Sequence, residues 1–262
     1  MGKPVVLVTG ASAGIGAALA RRLARDRRDL VLTARRTDRL ESLARELHDG
    51  HGVHVEVVPA DLGQPGAGGA LAAEVARRGL VVEWLVNNAG FGTAGRFDRL
   101  PLDRELEEVR VNVKAPVELA GHLLPDMVRR GHGALVNVAS VVAFGPMGYM
   151  ATYCATKAFV LAWSEALAVE LRGTGVDVLC VCPGFTATEF QAVAGVKTAA
   201  VPRFMWMTAD DVADQAVRAV GRQTVLVNGT LNALTTVGMR LAPRSLIARV
   251  TASANAGRTG GG

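Results

Sequence analysis

Close to its first residue the chain reads Val5-Val6-Leu7-Val8-Thr9-Gly10-Ala11-Ser12-Ala13-Gly14-Ile15-Gly16. The apolar run predicts a buried strand that ends at Thr9, and a helix is predicted to begin near Ile15. Three glycines with the spacing GxxxGxG lie at this strand-to-helix junction. Small residues there let backbone N–H groups and the positive end of the helix dipole approach a pyrophosphate. The stretch therefore predicts a dinucleotide-binding βα unit, and an ordinary glycine-rich turn is the alternative.

Short β-branched runs alternate with stretches of helical periodicity along the chain, which is typical of βαβ units in a parallel sheet. We predict an α/β fold of the Rossmann-like, doubly wound type, with a mostly parallel seven-stranded sheet and helices on both faces. The predicted strands are Pro4–Thr9, Leu30–Thr33, His54–Pro59, Val81–Asn87, Ala134–Ala139, Asp177–Val181 and Val225–Val227.

No proline- or serine-rich linker divides the 262 residues, so a single domain is predicted over residues 1–250. The segment Thr251–Gly262 is low in complexity and ends in three glycines. Such a segment buries too little surface to order itself, and we predict a flexible tail over residues 251–262.

Composition excludes several classes of protein. Half of the residues are apolar and 20% are charged, which is typical of a globular chain. The net charge of +5 is scattered, so no nucleic-acid partner is expected. The cysteines Cys154, Cys180 and Cys182 lack CxxC spacing, which predicts neither a metal site nor disulfides and favours a reducing compartment. No apolar run suits a signal peptide or a bilayer span, so we expect a cytoplasmic protein without an integral membrane segment.

The second predicted strand leads into Ala34-Arg35-Arg36, and no acid follows until Asp38. At this position an acid accepts hydrogen bonds from the ribose of NAD, whereas an arginine pairs with the 2′-phosphate of NADP. We therefore predict that NADP(H) is preferred over NAD(H), with Arg35 the stronger candidate and Arg36 the second. The alternative is that both arginines are solvated surface charges.

Two further loops follow predicted strands at the same edge of the sheet. Asn87-Asn88-Ala89-Gly90 consists of small or polar residues that permit close backbone contact with a ligand. Asp61-Leu62 lies where it can flank an adenine. Both segments are also ordinary turn formers, so each is weak evidence by itself.

Tyr153 precedes Lys157 by four residues, which is about one helical turn and puts both on one helix face. A buried ammonium beside the phenol would lower its pKa and make the tyrosine an acid–base catalyst near neutral pH. The chain has four lysines against twenty-five arginines, so a lysine here needs an explanation. Ser140 follows the fifth predicted strand, where its hydroxyl can donate to a substrate carbonyl or an oxyanion.

Taken together, these motifs resemble the short-chain dehydrogenase/reductase family over about the first 225 residues. The segments that carry the resemblance are Thr9–Gly16, Asn87–Gly90, Asn112, Ser140, Tyr153, Lys157 and the run Pro183-Gly184-Phe185-Thr186-Ala187-Thr188. It implies that Tyr153 is the general acid–base, that Lys157 holds the ribose and lowers the pKa of the tyrosine, and that Ser140 orients the carbonyl. It also implies that Asn112 is a fourth catalytic residue, which anchors a water that links the lysine to solvent.

The resemblance implies an NADPH-dependent carbonyl reductase or alcohol dehydrogenase that acts on an apolar ketone or a 3-oxoacyl-type substrate. The cofactor would contact Gly10, Ser12, Ala13, Gly14, Ile15, Gly16, Arg35, Arg36, Asp61, Leu62, Asn88, Ala89, Gly90, Tyr153, Lys157, Pro183, Gly184, Thr186 and Thr188. A substrate lid is expected at about residues 186–207. The expected pocket walls are Phe91, Val142, Phe144, Tyr149, Phe185, Phe190 and Trp206.

Family members often form homodimers or homotetramers through helices that correspond to residues 103–130 and 152–173. Residues 230–250 combine leucines with arginines, and either a partner subunit or a membrane surface can cover them. We favour the subunit, because Pro243 interrupts the helix and the basic residues are few. Two alternative functions stay open, a non-catalytic NADP(H)-binding sensor and a membrane-peripheral reductase of lipid-like substrates.

Overall fold

The computed structural model describes residues 2–195 and 201–256. Within these residues, seven strands form one sheet in the order β3-β2-β1-β4-β5-β6-β7, and all paired strands are parallel. The predicted Rossmann-like sheet is confirmed, although the third strand is shorter than expected. The strands are β1 Lys3–Thr9, β2 Leu30–Thr33, β3 Val55–Val57, β4 Leu80–Asn87, β5 Gly133–Val138, β6 Val176–Cys182 and β7 Val225–Val227.

Helices cover both faces of the sheet because strand side chains alternate between them. In β2, Leu30 and Leu32 pack into one apolar cluster, whereas Val31 packs into the cluster on the opposite face. The helices of the described residues are α1 Gly14–Arg25, α2 Thr37–His51, α3 Ala67–Arg77, α4 Leu102–Val109, α5 Ala115–Arg130, α6 Ala151–Glu170, α7 Phe190–Ala194, α8 Ala209–Ala219, α9 Thr230–Leu241 and α10 Arg244–Ala256. None of them is both long and apolar enough to cross a bilayer.

The strand order reverses beside β1, whose two neighbours are β2 and β4. The connections that leave β1 and β4 therefore diverge to opposite sides, and a crevice opens at the carboxyl ends of these strands. This switch point is where open α/β sheets bind their ligands.

Helix α10 extends into the segment predicted to be a flexible tail. The helix continues through Ala256, and the hydroxyl of Thr251 donates to the carbonyl oxygen of Pro146 at 3.0 Å. Because this contact holds the helix against the body of the domain, ordered structure extends beyond residue 250. Residues 257–262 of the predicted tail and residues 196–200 of the predicted lid lie outside the described residues.

Candidate active site

A cleft of about 590 Å³ lies at the carboxyl edge of the sheet. Every cofactor-contact residue expected from the sequence lines it, except Gly16, and so do Ser140, Phe91, Val142, Phe185 and Phe190. Loops that are far apart in the chain therefore converge on one cavity. Its volume lies within the range of small-molecule sites.

The glycine-rich turn is packed too tightly for larger side chains. Gly10 has a φ of +67°, and a Cβ there would lie 2.8 Å from the Cα of Ala89. A Cβ on Gly16 would lie 2.4 Å from the carbonyl oxygen of Gly10, so Gly16 shapes the turn from behind the cleft. The N-cap residue of α1, Ala13, forms no side-chain cap, and the first turn contains no acid. This arrangement fits a pyrophosphate, since free N–H groups and the helix dipole face the cleft.

Thr9 joins the turn after β1 to the loop after β4. Its hydroxyl donates to the carbonyl oxygen of Val86 at 3.1 Å and accepts from the backbone N–H groups of Asn88 and Ala89 at 2.9 and 3.0 Å. The Nδ2 of Asn88 donates in return to the carbonyl oxygen of Thr9 at 2.9 Å. The buried hydroxyl of Thr9 therefore holds the turn after β1 and the loop after β4 together.

The two arginines after β2 are held by acids from distant segments. Arg35 pairs with Glu107 at 3.2 Å, and Arg36 donates to the hydroxyl of Ser12 at 3.1 Å and to Glu189 at 2.8 Å. Both arginines line the cleft on the side of the glycine-rich turn. Two guanidinium groups next to a hydroxyl fit a phosphate, because an arginine can donate two parallel hydrogen bonds to phosphate oxygens. The opposing carboxylates were not anticipated from the sequence.

Tyr153 is buried in the cleft wall between a loop glycine and the lid. Its ring centroid lies 5.1 Å from that of Phe190 in α7, and a Cβ on Gly92 would lie 2.9 Å from its Cδ2. Burial raises the pKa of the Tyr153 phenol, and a hydrogen bond with Ser140 lowers it only in part. The direction is opposite to the predicted one, since loss of hydration on burial outweighs the hydrogen bond with Ser140.

Lys157 lies one turn after Tyr153 on α6, and both residues line the cleft. Its Nζ donates to the carbonyl oxygen of Val138 at 2.8 Å and lies 5.8 Å from the centroid of the Tyr153 ring. Burial lowers the pKa of the Lys157 ammonium to about 8. The lysine is therefore a buried amine on the same helix as the phenol, anchored by the end of β5.

Asn112 lies behind the cleft and does not line it. It belongs to a π-helical turn, Arg110–Lys114, that joins α4 to α5, and such turns are frequent at functional sites. Its Oδ1 accepts from the N–H of Phe91 at 3.1 Å, and its Nδ2 donates to the carbonyl oxygen of Phe91 and to the hydroxyl of Thr156 at 2.8 and 3.1 Å. The side chain thereby ties the loop after β4 to the helix that carries Tyr153.

Two buried acids beside this helix were not recognised in the sequence. Glu108 accepts from the hydroxyl of Thr93 at 2.9 Å, and Glu105 accepts from the hydroxyl of Thr152. Within the described structure, the Oε1 atom of each acid has no hydrogen-bond partner. Burial raises the pKa of Glu108 to about 7, with the charge of Glu105 adding to the effect. The available signal was spacing, because both acids share a helix face with Asn112.

Three of the expected pocket residues lie away from the cleft. Phe144 is buried under Arg240, whose guanidinium carbon lies 4.7 Å from the ring centroid. Tyr149 adopts a φ of +65°, and its carbonyl oxygen accepts from the N–H of Gly95. Trp206 packs on Phe185 with ring centroids 5.6 Å apart and borders a separate open depression. Local turns, which apolarity does not encode, direct these rings elsewhere.

The apolar end of the cleft has wall residues that the sequence analysis did not name. They are Met147, Met150 and Thr251. The first two come from the loop before α6. Val193 also lines this end, from the short helix α7 in the segment predicted to form the lid. Thr251 lies in the segment predicted to be a tail, and helix α10 brings it to the cleft.

Comparison with known proteins places this geometry in a family. The family described as short chain dehydrogenase matches residues 4–198. A 7beta-hydroxysteroid dehydrogenase of Collinsella aerofaciens is 30% identical over 229 residues, which cover 86% of this chain and 86% of that protein. Ketoacyl reductase HetN of Nostoc sp. is 31% identical over 229 residues, which cover 85% of this chain and 78% of that protein.

A solved structure is similar as well. The short-chain dehydrogenase from Sphingobium yanoikuyae in complex with NADPH shares 36% identity and a TM-score of 0.80, covering 92% of this chain and 97% of that chain. Three observations point to the same family. The sequence matches the family, the sheet has seven parallel strands, and Ser140, Tyr153 and Lys157 line one cleft. This chain is an oxidoreductase of the short-chain dehydrogenase/reductase family.

Proposed function

We propose that the protein is an NADPH-dependent carbonyl reductase and alcohol dehydrogenase for apolar ketones or 3-oxoacyl-type substrates. The observation that carries the proposal is that Tyr153, Ser140 and Lys157 share one cleft with the glycine-rich turn and with two arginines. Phenol, hydroxyl and ammonium groups at one end suit proton transfer to a carbonyl, and the opposite end suits a phosphorylated dinucleotide.

The residues of the cleft fit NADP(H) along its length. The turn at Gly10–Gly16 and the N-terminus of α1 would hold the diphosphate, and Lys157 would hold the nicotinamide ribose. Arg35 and Arg36 would pair with the 2′-phosphate, since no acid occupies the end of β2. The bound nicotinamide supplies or accepts the hydride, and the protein contributes position and proton transfer. The NADPH complex of the Sphingobium yanoikuyae relative supports this choice of cofactor.

In the direction of reduction, Tyr153 donates its phenolic proton to the carbonyl oxygen of the substrate. Burial keeps the phenol protonated before reaction, which suits a general acid. Ser140 donates a hydrogen bond to the same oxygen as negative charge develops there. Lys157, whose pKa is lowered to about 8, still holds a proton near neutral pH and stabilises the phenolate that remains.

The walls around Tyr153 suggest the class of substrate. Phe190 packs against the phenol ring, and the adjoining lining residues are Val142, Met147, Met150 and Val193. Thioether and aromatic side chains adapt to apolar molecules of varied shape. The names of two relatives, a hydroxysteroid dehydrogenase and a ketoacyl reductase, agree with an apolar secondary alcohol or an acyl carbonyl.

We infer that the protein forms a homodimer or homotetramer through the helices that flank the site. Exposed apolar side chains lie along α4, α5 and α6 and include Leu106, Val109, Val117, Val128, Phe159 and Val169. Phe159 also stacks on Trp163, with ring centroids 6.1 Å apart. An apolar, partly aromatic surface of this kind is typical of a subunit interface.

The experiment is a fluorescence titration of the purified protein with NADPH and NADH, followed by a panel of ketones and 3-oxoacyl thioesters. Tighter binding of NADPH and oxidation of NADPH that depends on an apolar ketone would support the proposal. Preference for NADH would contradict the role given to the two arginines. NADPH binding without turnover of any carbonyl compound would favour the alternative function, a non-catalytic NADP(H)-binding sensor.

A further inference from the structure

The outer sides of helices α9 and α10 carry a row of exposed apolar side chains. Leu234 is 71% exposed and Leu241 is 82% exposed. Along α9 the row repeats every three or four residues, which places it on one side of the helix. Its members are Leu231, Leu234, Val237, Leu241, Leu246 and Val250. We call this row the C-terminal apolar face.

The inner sides of both helices rest on the loop that precedes α6. A Cβ on Gly145 in this loop would meet Ile247 of α10 at 2.9 Å and Met239 of α9 at 3.4 Å. Pro243 lies between the two helices, and its carbonyl oxygen accepts from the N–H of Leu246 in the first turn of α10. The interruption by proline therefore yields two anchored helices, and both keep an apolar side in solvent.

The segment around this face contains arginines and no acid. Residues 215–262 hold six arginines, no lysine, no aspartate and no glutamate, in a chain whose formal net charge is +5. Two of these arginines pair with acids from outside the segment, Arg218 with an acid of α8 and Arg240 with an acid of α6. Arg244 and Arg249 are exposed on α10 and form no ion pair with any described residue. Exposed leucines and unpaired arginines therefore occur together on these two helices.

Three kinds of partner could cover this face, and they differ in how well they match its leucines and arginines. A second copy that meets the face through a two-fold axis would bring arginine against arginine, and this segment has no acid to offer. A nucleic acid would pair with the arginines but would leave the leucines against a charged, hydrated backbone. An anionic bilayer provides phosphates for the arginines and hydrocarbon for the leucines.

We propose that the C-terminal apolar face docks onto an anionic lipid surface, with α9 and α10 lying in the headgroup region. The exposure of Leu234 and Leu241 and the lack of acids reverse the preference for a partner subunit that the sequence favoured. Thr251 of α10 lines the catalytic cleft, so the docked surface adjoins the cleft. This docking does not depend on the proposed reaction.

The test is flotation of the full chain with vesicles of phosphatidylcholine alone or mixed with phosphatidylglycerol. We expect the protein to float with the mixed vesicles at low salt and to be released by high salt. The double variant Arg244→Gln/Arg249→Gln should lower the partition coefficient roughly thirtyfold, at roughly fivefold for each arginine. The double variant Leu234→Ser/Leu241→Ser should lower it at least roughly tenfold.

The matched control is Phe97→Ser/Phe204→Ser, which removes apolar side chains of similar exposure from segments outside α9, α10 and the proposed subunit interface and should leave flotation unchanged. Unfolding temperatures equal to wild type would show that each variant is folded. Failure of the wild-type protein to float with mixed vesicles would overturn the proposal, and so would equal flotation of all variants. A leucine variant that dissociates an oligomer in sedimentation, without vesicle binding by the wild type, would assign the face to a second copy instead.

Discussion

Arg36 donates a hydrogen bond from Nη1 to Oε2 of Glu189 at 2.8 Å. The acid comes from the segment that covers the cleft, and the arginine is a proposed ligand of the 2′-phosphate. Arg39 pairs with the same carboxylate at 2.6 Å. If Arg36 binds the 2′-phosphate as proposed, Glu189 and the cofactor phosphate would compete for one guanidinium group, and the pairing would connect the predicted lid to the choice of cofactor.

Glu189→Gln should tighten NADPH binding modestly, by about threefold, because an exposed ion pair is screened by solvent and contributes little. Binding of NADH should not change, since it lacks the 2′-phosphate. Titration of both cofactors by nicotinamide fluorescence measures the effect. Glu41→Gln, an exposed acid on α2, is the control. An equal gain for NADH would contradict the competition.

Arg36→Ala should weaken NADPH binding by roughly tenfold or more, since hydrogen bonds to charged groups contribute about 1.5–3 kcal/mol. NADH affinity should stay within about twofold of wild type, a difference below about 0.5 kcal/mol. The ratio of the two dissociation constants is the measurement. Arg45→Ala, an exposed arginine on α2, serves as control, and a parallel loss for both cofactors would show that Arg36 does not read the phosphate.

Gly16→Ala should lower both folding stability and affinity for NADPH. The added Cβ would lie 2.4 Å from the carbonyl oxygen of Gly10 and 2.4 Å from Nδ2 of Asn88, so the turn must move. Overpacking of this kind costs about 1–3 kcal/mol. Gly50→Ala on α2 is the control, because nothing lies within 4 Å of its Cβ position. Urea unfolding with and without NADPH compares them, and equal stability of the two variants would refute the packing argument.

Glu108→Gln should change how stability depends on pH. Burial raises the pKa of Glu108 from 4.5 to about 7, so the folded state binds the proton more tightly than the unfolded state. The free energy of unfolding of the wild type should therefore fall as pH rises from about 4.5 to about 7, by up to about 3 kcal/mol. In the glutamine variant, this decrease in the free energy of unfolding with rising pH should be absent.

The free energies of unfolding are measured in urea at several pH values. The acid that faces Glu108, Glu105, and the ammonium of Lys157 are retained in the variant. Glu170→Gln, an exposed acid at the end of α6, should keep the slope of the wild type. A slope in Glu108→Gln identical to that of the wild type would mean that Glu108 is ionised at no cost in the folded protein.

The features that depend on local sequence pattern, the strands and the loops at their ends, could be predicted. Alternating β-branched and helical stretches predicted seven strands, and strand ends predicted which loops meet at one edge of the sheet. Many of the residues that line the cleft come from those loops, such as Ser12–Ile15 and Asn88–Gly90. Parallel topology alone brings such loops together.

What the sequence did not predict depends on side-chain direction and burial. Phe144 and Trp206 are apolar and close in sequence to site residues, yet local turns aim them away from the cleft. Glu108 looks like a surface acid until the fold buries it. The direction of the shift in the pKa of Tyr153 was wrong for a related reason, because loss of hydration is a property of the packed structure.

The most direct test of the proposed function is Tyr153→Phe, studied by NADPH titration and by ketone-dependent oxidation of NADPH with the best substrate of the panel. We expect the affinity for NADPH to change by less than about threefold, under about 0.7 kcal/mol, while turnover falls by roughly a hundredfold to ten-thousandfold. Turnover by the variant at the rate of the wild type would contradict the role of Tyr153 as general acid.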